Sequence, residues 1–508
     1  MAFGTLDLLT FLGFIALVIG VSLFASRREE TSSDYFLAGR TLPWWLIGFS
    51  LIASNISTEH FIGMAGRGAD IGLAIASYEW MAAVTLVIVG TVFLPRFLRA
   101  GIYTIPQYLE IRYSSTTRTI MAVFMLVAYV FVAMATVLYA GALAIEQIFA
   151  IDPTLAIWLI GLLAGAYTVY GGLKAVVWSD LLQGVALLLG GILITVLGLR
   201  QVGGLGTFLA SQQDKLHTVL PWNHPEMPWL AVFVGGLWIP NLFYWGLNQF
   251  ITQRTLAAKS LAEGQRGIYL AAAIKLVIPF IIIFPGIIAV ELYGEQIAVP
   301  DQAYPVLMRE LLPAGLTGIM FAALFGAVMS SLDSMLNSAA TIFTIDVYQR
   351  HLNAAADQRR LVRVGRIATA VLVVVGCLWA PLVARAGSIF EYIQMFWGFI
   401  SPAIVAVFLF GLYSPRTPAH AASGALVLGI PVYGLLLWLL PNVAFLHHMM
   451  ITFLVVCASL ALNTKLAPRP TPFVLELKSG LNLEPARHGR WFGGAVVAAV
   501  VALYVVFF

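Results

Sequence analysis

The chain has 508 residues, of which 60% are hydrophobic and only 10% are charged, and its mean hydropathy is +0.92. Soluble domains of this size do not have such a composition, so we predict an all-α polytopic membrane protein whose surroundings are the lipid bilayer. The formal net charge of +4 is explained by basic residues flanking membrane spans, and it therefore indicates no nucleic-acid partner.

Apolar runs long enough to cross a bilayer occur about fourteen times along the chain. In chain order they cover residues 7–25, 44–66, 71–95, 119–149, 155–170, 175–200, 229–253, 267–292, 314–346, 364–386, 388–410, 418–440, 445–464 and 490–508. The loops between these runs are short, so no separate soluble domain is expected. The whole chain, 1–508, is predicted to form a single transmembrane domain.

Lysine and arginine residues are distributed unevenly among the predicted loops. If the N-terminus lies outside, most of the 28 fall in inside loops or at the inner ends of spans, and Lys275 alone lies deep within a predicted span. This bias predicts a multi-pass plasma-membrane protein with both termini outside. Compact loops without an external glycosylation sequon favour a bacterial inner membrane.

Two of the predicted spans are interrupted by polar residues. The second span contains Ser54-Asn-Ile-Ser-Thr-Glu-His60, although a charge at the bilayer centre costs at least ~2.5–3.5 kcal/mol. The seventh span contains Gly235-Gly-Leu-Trp-Ile-Pro-Asn-Leu-Phe-Tyr-Trp-Gly246, where Pro240 removes a helix donor. Paired broken helices are typical of inverted-repeat transporters that bind their ligands at the midplane. We therefore predict repeats over spans two to six and seven to eleven.

The intramembrane polar residues offer amides, a carboxylate, an imidazole and an ammonium group beside aromatic rings. They are Asn55, His60, Tyr78, Glu79, Asn241, Tyr244, Trp245, Gln249, Lys275 and Gln394. A sugar needs this mixture, because its hydroxyls donate and accept while its C–H face prefers an aromatic ring. Taken singly, each amide or tyrosine also fits a helix-packing hydrogen bond. For Glu79 and Lys275 the main alternative is a structural ion pair.

A later stretch, Ala327-Val-Met-Ser-Ser-Leu-Asp-Ser-Met-Leu-Asn-Ser338, places several hydroxyls on one helix. Hydroxyl and freed carbonyl oxygens suit a hard monovalent cation, whereas small polar residues equally allow close helix packing. Asp180 and Asp333 favour an ion path. Asp180 lies near the predicted inner surface, so simple solvation is its alternative explanation.

With these residues in view, the chain resembles the solute:sodium symporter family, and within it the sodium/glucose (galactose) cotransporters, including bacterial ones. The resemblance runs from Asp34 to Tyr413. Its most specific pieces are Ser54–Gly63, Ser77-Tyr-Glu-Trp80, Gly171–Asp180, Asn241-Leu-Phe-Tyr-Trp245, Gln253–Lys259 and Ser330–Tyr348. It implies a core of two inverted five-helix repeats like that of amino-acid/sodium symporters. That core covers residues 43–412, between an N-terminal extra helix and loop (1–42) and C-terminal extra helices (413–508).

The resemblance also assigns roles to residues of this chain. Sugar contacts are implied for Asn55, His60, Glu79, Asn241, Lys275 and Gln394. Stacking or gating is implied for Tyr244, Trp245, Met64, Tyr78 and Phe390. Co-transported sodium would be held by carbonyls of Ala53 and Ile56 together with Ala327, Ser330 and Ser331. Asp180 and Asp333 would form a second cation site or an exit path.

Three positions depart from the family pattern: His60 replaces a glutamine of the bacterial pattern, Ala82 replaces a serine, and Asp333 replaces alanine or threonine. A carboxylate at position 333 can hold a second sodium ion or a proton, so the number of coupled ions stays open. The expected function is sodium-driven import of a monosaccharide, glucose or galactose. The alternatives are transport of myo-inositol, a nucleoside or an organic anion, and a sugar-gated sensor or channel. An enzyme is not expected, because the sequence suggests no pocket nucleophile or metal cluster.

Overall fold

The computed structural model describes residues 4–26, 31–149, 151–383 and 389–508, and these residues form helices and no β-strand. The α-helices are Thr5–Ala25, Ser32–Leu37, Trp44–Asn55, Ala65–Ile71, Ser77–Ile88, Leu94–Ala100, Ile105–Arg112, Ser115–Val127, Ala135–Phe149, Pro153–Val202, Leu205–Ser211, Trp229–Phe233, Trp238–Leu242, Gln249–Leu256, Leu261–Tyr293, Ala303–Leu311, Leu316–Ile342, Gln358–Val383, Ile389–Tyr413, Ala419–Leu439, Phe445–Leu466 and Gly489–Val506. Wider π-helical turns extend or join neighbouring helices at Glu59–Met64, Val89–Phe93, Ala128–Met134, Phe243–Leu247 and Phe343–Leu352.

Within these ranges, 12 helices are long and apolar enough to cross a membrane. The predicted number is higher because two of these 12 each contain helices that meet end to end at a glycine. Gly172 is non-helical (φ 50°, ψ −147°), so Pro153–Val202 consists of two helices, which correspond to the fifth and sixth predicted spans. Gly72 (φ 78°, ψ −154°) likewise separates the second half of the second predicted span from the third span, and the first half, Trp44–Asn55, is only 12 residues long.

The first broken helix consists of Trp44–Asn55 and the segment Glu59–Ile71. Between them Ile56 has extended backbone angles, φ −79° and ψ 108°. The last carbonyl oxygens of a helix accept no hydrogen bond from within that helix. This break therefore leaves backbone oxygens near Ala53 available to other partners, as the polar stretch predicts.

The second broken helix consists of Trp238–Leu247 and Gln249–Leu256. The prediction that Pro240 interrupts it is wrong, because Pro240 lies in the first turn of a helix, where its missing N–H is not needed. The interruption falls at Asn248, which has φ −85° and ψ 120°. The two broken helices thus share one feature, an extended residue at the break, Ile56 in the first and Asn248 in the second.

Two long helices pack against each other at the centre of the molecule. They are Pro153–Val202, here called the kinked helix, and Leu316–Ile342, the serine helix. Thr5–Ala25 packs against both. Its buried Asp7 accepts hydrogen bonds from the backbone N–H groups of Gly315 at 2.7 Å and Gly318 at 3.0 Å. The N-terminal helix is thereby attached to the beginning of the serine helix.

Candidate functional site

A buried polar cluster lies at the break of the first broken helix. The Lys275 ammonium donates to the side-chain oxygen of Asn55 and to the Glu79 carboxylate. The Asn55 amide donates to the Tyr244 hydroxyl at 3.1 Å. Lys275 is 0% exposed and Glu79 is 3% exposed, so both charges are removed from solvent and paired with each other. Residues from both broken helices and from Leu261–Tyr293 therefore meet here, as the sequence predicts.

His60 and Trp245 extend this cluster. Nε2 of His60 lies 3.6 Å from Oε1 of Glu79, and Nδ1 of His60 accepts from the Ser57 backbone N–H at 3.4 Å. The Lys275 ammonium lies 5.0 Å from the centroid of the Trp245 ring, a distance typical of cation–π contacts. Imidazole, carboxylate, ammonium and aromatic ring are thus within one contact network.

The other sequence-predicted ligand and gate residues are placed less directly. Asn241 lies one turn before Tyr244, but its amide donates to the Leu237 carbonyl of its own helix at 3.0 Å. Met64 and Tyr78 are partly buried. The side chains of Phe390 and Gln394 lie outside the part of the structure that is described, so their roles stay predictions.

The cluster offers donors and acceptors with little net charge. Lys275 and Glu79 compensate each other, while Asn55, Tyr244 and His60 can each exchange hydrogen bonds with a neutral ligand. An anionic ligand would be repelled by the Glu79 carboxylate. Hydroxyl groups of a neutral ligand can instead donate to Glu79 and accept from Lys275. The ion pair that the sequence suggested as the alternative is present, and it leaves the chemistry suited to a neutral polyhydroxy compound.

A second polar cluster lies between the first broken helix and the serine helix, around Asp180. One oxygen of its carboxylate accepts from the hydroxyls of Ser50 at 2.5 Å and Ser54 at 3.0 Å, and the other accepts from Ser330 at 2.5 Å. Asp180 is 0% exposed. The alternative of a solvated Asp180 is therefore wrong, because serine hydroxyls on two helices replace water around it.

Arg254 is a residue of this cluster that sequence reasoning missed. Its guanidinium donates to Ser50 at 2.8 Å and to Ser334 at 2.9 Å, and lies 3.5 Å from the Asp180 carboxylate. The residue is 1% exposed. The distribution of lysine and arginine residues predicts that Arg254 lies in an inside loop, because it directly follows the predicted span 229–253. The specific Gln253-Arg-Thr sequence was the available signal.

Asp333 lies in the same region, but its carboxylate forms no ion pair with a described residue, whereas Asp180 lies 3.5 Å from Arg254. One of its carboxylate oxygens accepts from the Tyr167 hydroxyl and, at 3.4 Å, from Ser179. The other oxygen is buried and has no hydrogen-bond partner among the described residues. A buried carboxylate of this kind requires a nearby cation or a bound proton. The geometry is compatible with both of the roles that the sequence left open.

The sequence-predicted sodium residues lie on both sides of this region. Ala53 lies just before the break of the first broken helix and Ile56 lies in it, while Ala327, Ser330 and Ser331 lie buried on the serine helix. The Ser331 hydroxyl has no hydrogen-bond partner in the described part of the chain. The hydrogen bonds of Asp180 connect the first broken helix to the serine helix near these residues. Sodium ligation by the five residues stays a prediction.

Comparison with known proteins was made for the whole chain. Residues 35–430 match the sodium:solute symporter family. The chain is 43% identical over 495 residues to a sodium/glucose cotransporter of Vibrio parahaemolyticus, with 91% of each chain covered. It is 36% identical over 465 residues to a sodium/myo-inositol cotransporter 2 of Mus musculus, covering 84% of this chain and 68% of the relative.

Two solved structures share the fold. A substrate-bound, outward-open structure of a Na⁺-coupled sialic acid symporter has a TM-score of 0.83 at 23% identity, covering 93% of this chain and 100% of its own. Mhp1, a nucleobase-cation-symport-1 family transporter in a closed conformation, has a TM-score of 0.57 at 16% identity, covering 91% and 98%. The predicted all-α inverted-repeat architecture is thereby confirmed.

Proposed function

This chain belongs to the sodium:solute symporter family, and on that premise we propose that it imports a monosaccharide, glucose or galactose, by alternating access. Sodium is the co-transported ion. The observation that carries the proposal is the Asn55, Glu79 and Lys275 network at the break of the first broken helix. One interrupted helix thus offers backbone oxygens to an ion and polar side chains to a sugar.

The proposed sugar site combines hydrogen bonds with stacking. Hydroxyl groups of the sugar bond to Asn55, His60, Glu79 and Lys275, with Asn241 and Gln394 completing the set as the resemblance implies. Tyr244 stacks on the C–H face, and Trp245, Met64, Tyr78 and Phe390 form walls or gates. Replacement of Gln394 by alanine is expected to raise the sugar concentration for half-maximal transport. Unchanged sugar affinity would remove Gln394 from the site.

Coupling follows from the shared break. Sodium held by Ala53, Ile56, Ala327, Ser330 and Ser331 orders the segment that carries Asn55, so each ligand raises the affinity for the other. One sodium ion crossing ~100 mV releases about 2.3 kcal/mol, and a tenfold gradient adds about 1.4 kcal/mol. One sodium ion therefore sustains roughly 500-fold sugar accumulation, and a second cation at Asp180 and Asp333 squares that limit.

A second candidate substrate is myo-inositol. Its support is the 36% identity to a sodium/myo-inositol cotransporter of Mus musculus. Myo-inositol is also a neutral ring of hydroxyl groups, so the same donors and acceptors can bind it. Competition between unlabelled myo-inositol and labelled glucose or galactose distinguishes the two substrates.

The proposed protein lies in a bacterial inner membrane with both termini outside. It consists of an N-terminal extra helix and loop (1–42), the inverted-repeat core (43–412) and C-terminal extra helices (413–508). The positive-inside bias supports this orientation, and a bacterial relative supports the membrane. Labelling of single cysteines at the two ends in intact cells tests it. Protection of both ends from an impermeant reagent contradicts the orientation.

The deciding experiment measures labelled glucose and galactose uptake into proteoliposomes under sodium, potassium or proton gradients. Concentrative uptake that requires sodium is the expected result. Equilibration without accumulation identifies a sugar-gated channel, and sodium binding without uptake of either sugar redirects the search to another substrate.

A further inference from the structure

Gln183 is a buried amide on the kinked helix that takes no part in the sites described above. The residue is 0% exposed. Neither its amide oxygen nor its amide nitrogen has a hydrogen-bond partner among the described residues. Buried amides are nearly always bonded to protein groups, water or a ligand. A side chain with both ends unbonded therefore indicates a further bonding partner at this position.

The neighbours of Gln183 touch both helices of the proposed sodium site. Asp180, one turn earlier on the same helix face, accepts from Ser54 and Ser330. At Gly184, the next residue, an added methyl group would lie 2.9 Å from the Ala53 side chain. On the kinked helix Gln183 thus lies between Asp180, which is hydrogen-bonded to Ser330, and Gly184, which packs against Ala53.

Gln183 itself lies against the serine helix at Gly326. A methyl group added at Gly326 would lie 2.7 Å from Cγ and 3.3 Å from Nε2 of Gln183. Because a side chain at position 326 would displace the amide, glycine there allows Gln183 to approach the backbone. The next residue is Ala327, which is already assigned to the proposed sodium site.

We infer that Gln183 belongs to the sodium site and that its side-chain carbonyl oxygen is a further ligand of the ion. The inference rests on the proposed function and adds the kinked helix to the two helices already assigned. A neutral amide oxygen is suited to this role, since a hard monovalent cation needs oxygen ligands and little added charge. Sodium then connects three helices, so its release frees the kinked helix as well.

The test is equilibrium binding of ²²Na⁺ to the purified full-length protein. Gln183→Leu is expected to raise the half-saturating sodium concentration about tenfold, equivalent to about 1.4 kcal/mol. Its thermal stability without sodium is expected to equal that of the unmodified protein, because no hydrogen bond is lost. Gln183→Glu retains an oxygen and is expected to bind sodium at least as tightly as the unmodified protein.

Gln265→Leu is the matched control. Gln265 donates to the Gly90 carbonyl at 3.0 Å and accepts from the Ala486 N–H at 2.8 Å, so its loss is expected to lower stability without changing sodium affinity. Wild-type sodium affinity in Gln183→Leu, with weakened binding in Ser331→Ala, overturns the inference and leaves the proposed function intact. Absence of sodium binding in the unmodified protein overturns both. If the leucine variant does not fold, weakened binding in Gln183→Glu overturns the inference alone.

Discussion

At the scale of single residues, the paired charges of Lys275 and Glu79 dominate the candidate sugar site. Both are buried, and the Lys275 ammonium also bonds to Asn55. A buried ion pair adds little net stability over an apolar pair, but losing one partner leaves an uncompensated charge. The pair is therefore better explained by ligand binding than by stability of the fold.

Separate and combined replacement of this pair tests that explanation. Glu79→Gln and Lys275→Met are each expected to lower the free energy of unfolding by about 3–5 kcal/mol. The double variant is expected to lose less than either single variant, because no charge is left unpaired. Thermal unfolding in detergent measures stability, and labelled sugar binding is expected to be lost in all three. Retained sugar binding in the double variant contradicts the site.

Ser331 offers a cleaner test of the sodium site, because its hydroxyl bonds to no described residue. Ser331→Ala is expected to raise the half-saturating sodium concentration several-fold with little change in stability. Ser338→Ala is the control, because its hydroxyl donates to Gln253 at 2.8 Å. That variant is expected to lose about 0.5–1.5 kcal/mol of stability with unchanged sodium affinity. An unaltered sodium response in Ser331→Ala moves the ion elsewhere.

Some of the residues in the two clusters can be predicted from the sequence and others cannot, for physical reasons. Glu79 and Lys275 are recognisable because a charge within an apolar run is costly and needs a purpose. Arg254 was not recognisable, because the same cost argument assigns a charge at the edge of an apolar run to a loop. Tyr167, Ser50 and Ser54 were missed as carboxylate partners, since a hydroxyl in an apolar helix gives no sign of which distant residue it meets.

At the scale of elements, breaks and bends are set by different signals. The polar stretch predicts the first break correctly, whereas Pro240 gives the wrong position for the second. The sequence predicts two spans, 155–170 and 175–200, where the kinked helix lies, and its two halves correspond to them. Its bend lies at Gly172, where φ is 50° and ψ −147°, a conformation that only glycine adopts readily. The boundary that the sequence predicts between residues 170 and 175 therefore falls at this bend.

Gly172→Ala tests whether this bend is required. The added methyl group forces a strained backbone and is expected to lower the free energy of unfolding by about 1–3 kcal/mol. Gly13→Ala is the control, since it lies in Thr5–Ala25 with open space around it, and it is expected to be neutral or slightly stabilising. Thermal unfolding of the two variants compares them. Equal stability shows that the bend is not held by glycine.

At the scale of the whole molecule, the number of coupled cations sets how far the transported solute can be concentrated. Asp333→Ala removes the buried carboxylate that has an oxygen without a described partner. If that carboxylate binds a second cation, the steady-state accumulation ratio is expected to fall toward the one-sodium limit of roughly 500-fold at ~100 mV and a tenfold gradient. Proteoliposomes with a clamped potential measure the ratio. An unchanged ratio excludes Asp333 from coupling.

The attachment of Thr5–Ala25 to the serine helix links transport to the bilayer itself. This helix exposes Leu6, Leu9, Leu12 and Phe24, while Asp7 holds Gly315 and Gly318 at the start of the helix that carries Ser330 and Ser331. A thinner or thicker hydrocarbon layer tilts a lipid-exposed helix. Acyl-chain length is therefore expected to act mechanically on the helix proposed to bind sodium, so the turnover rate is expected to vary with the lipid in which the protein is reconstituted.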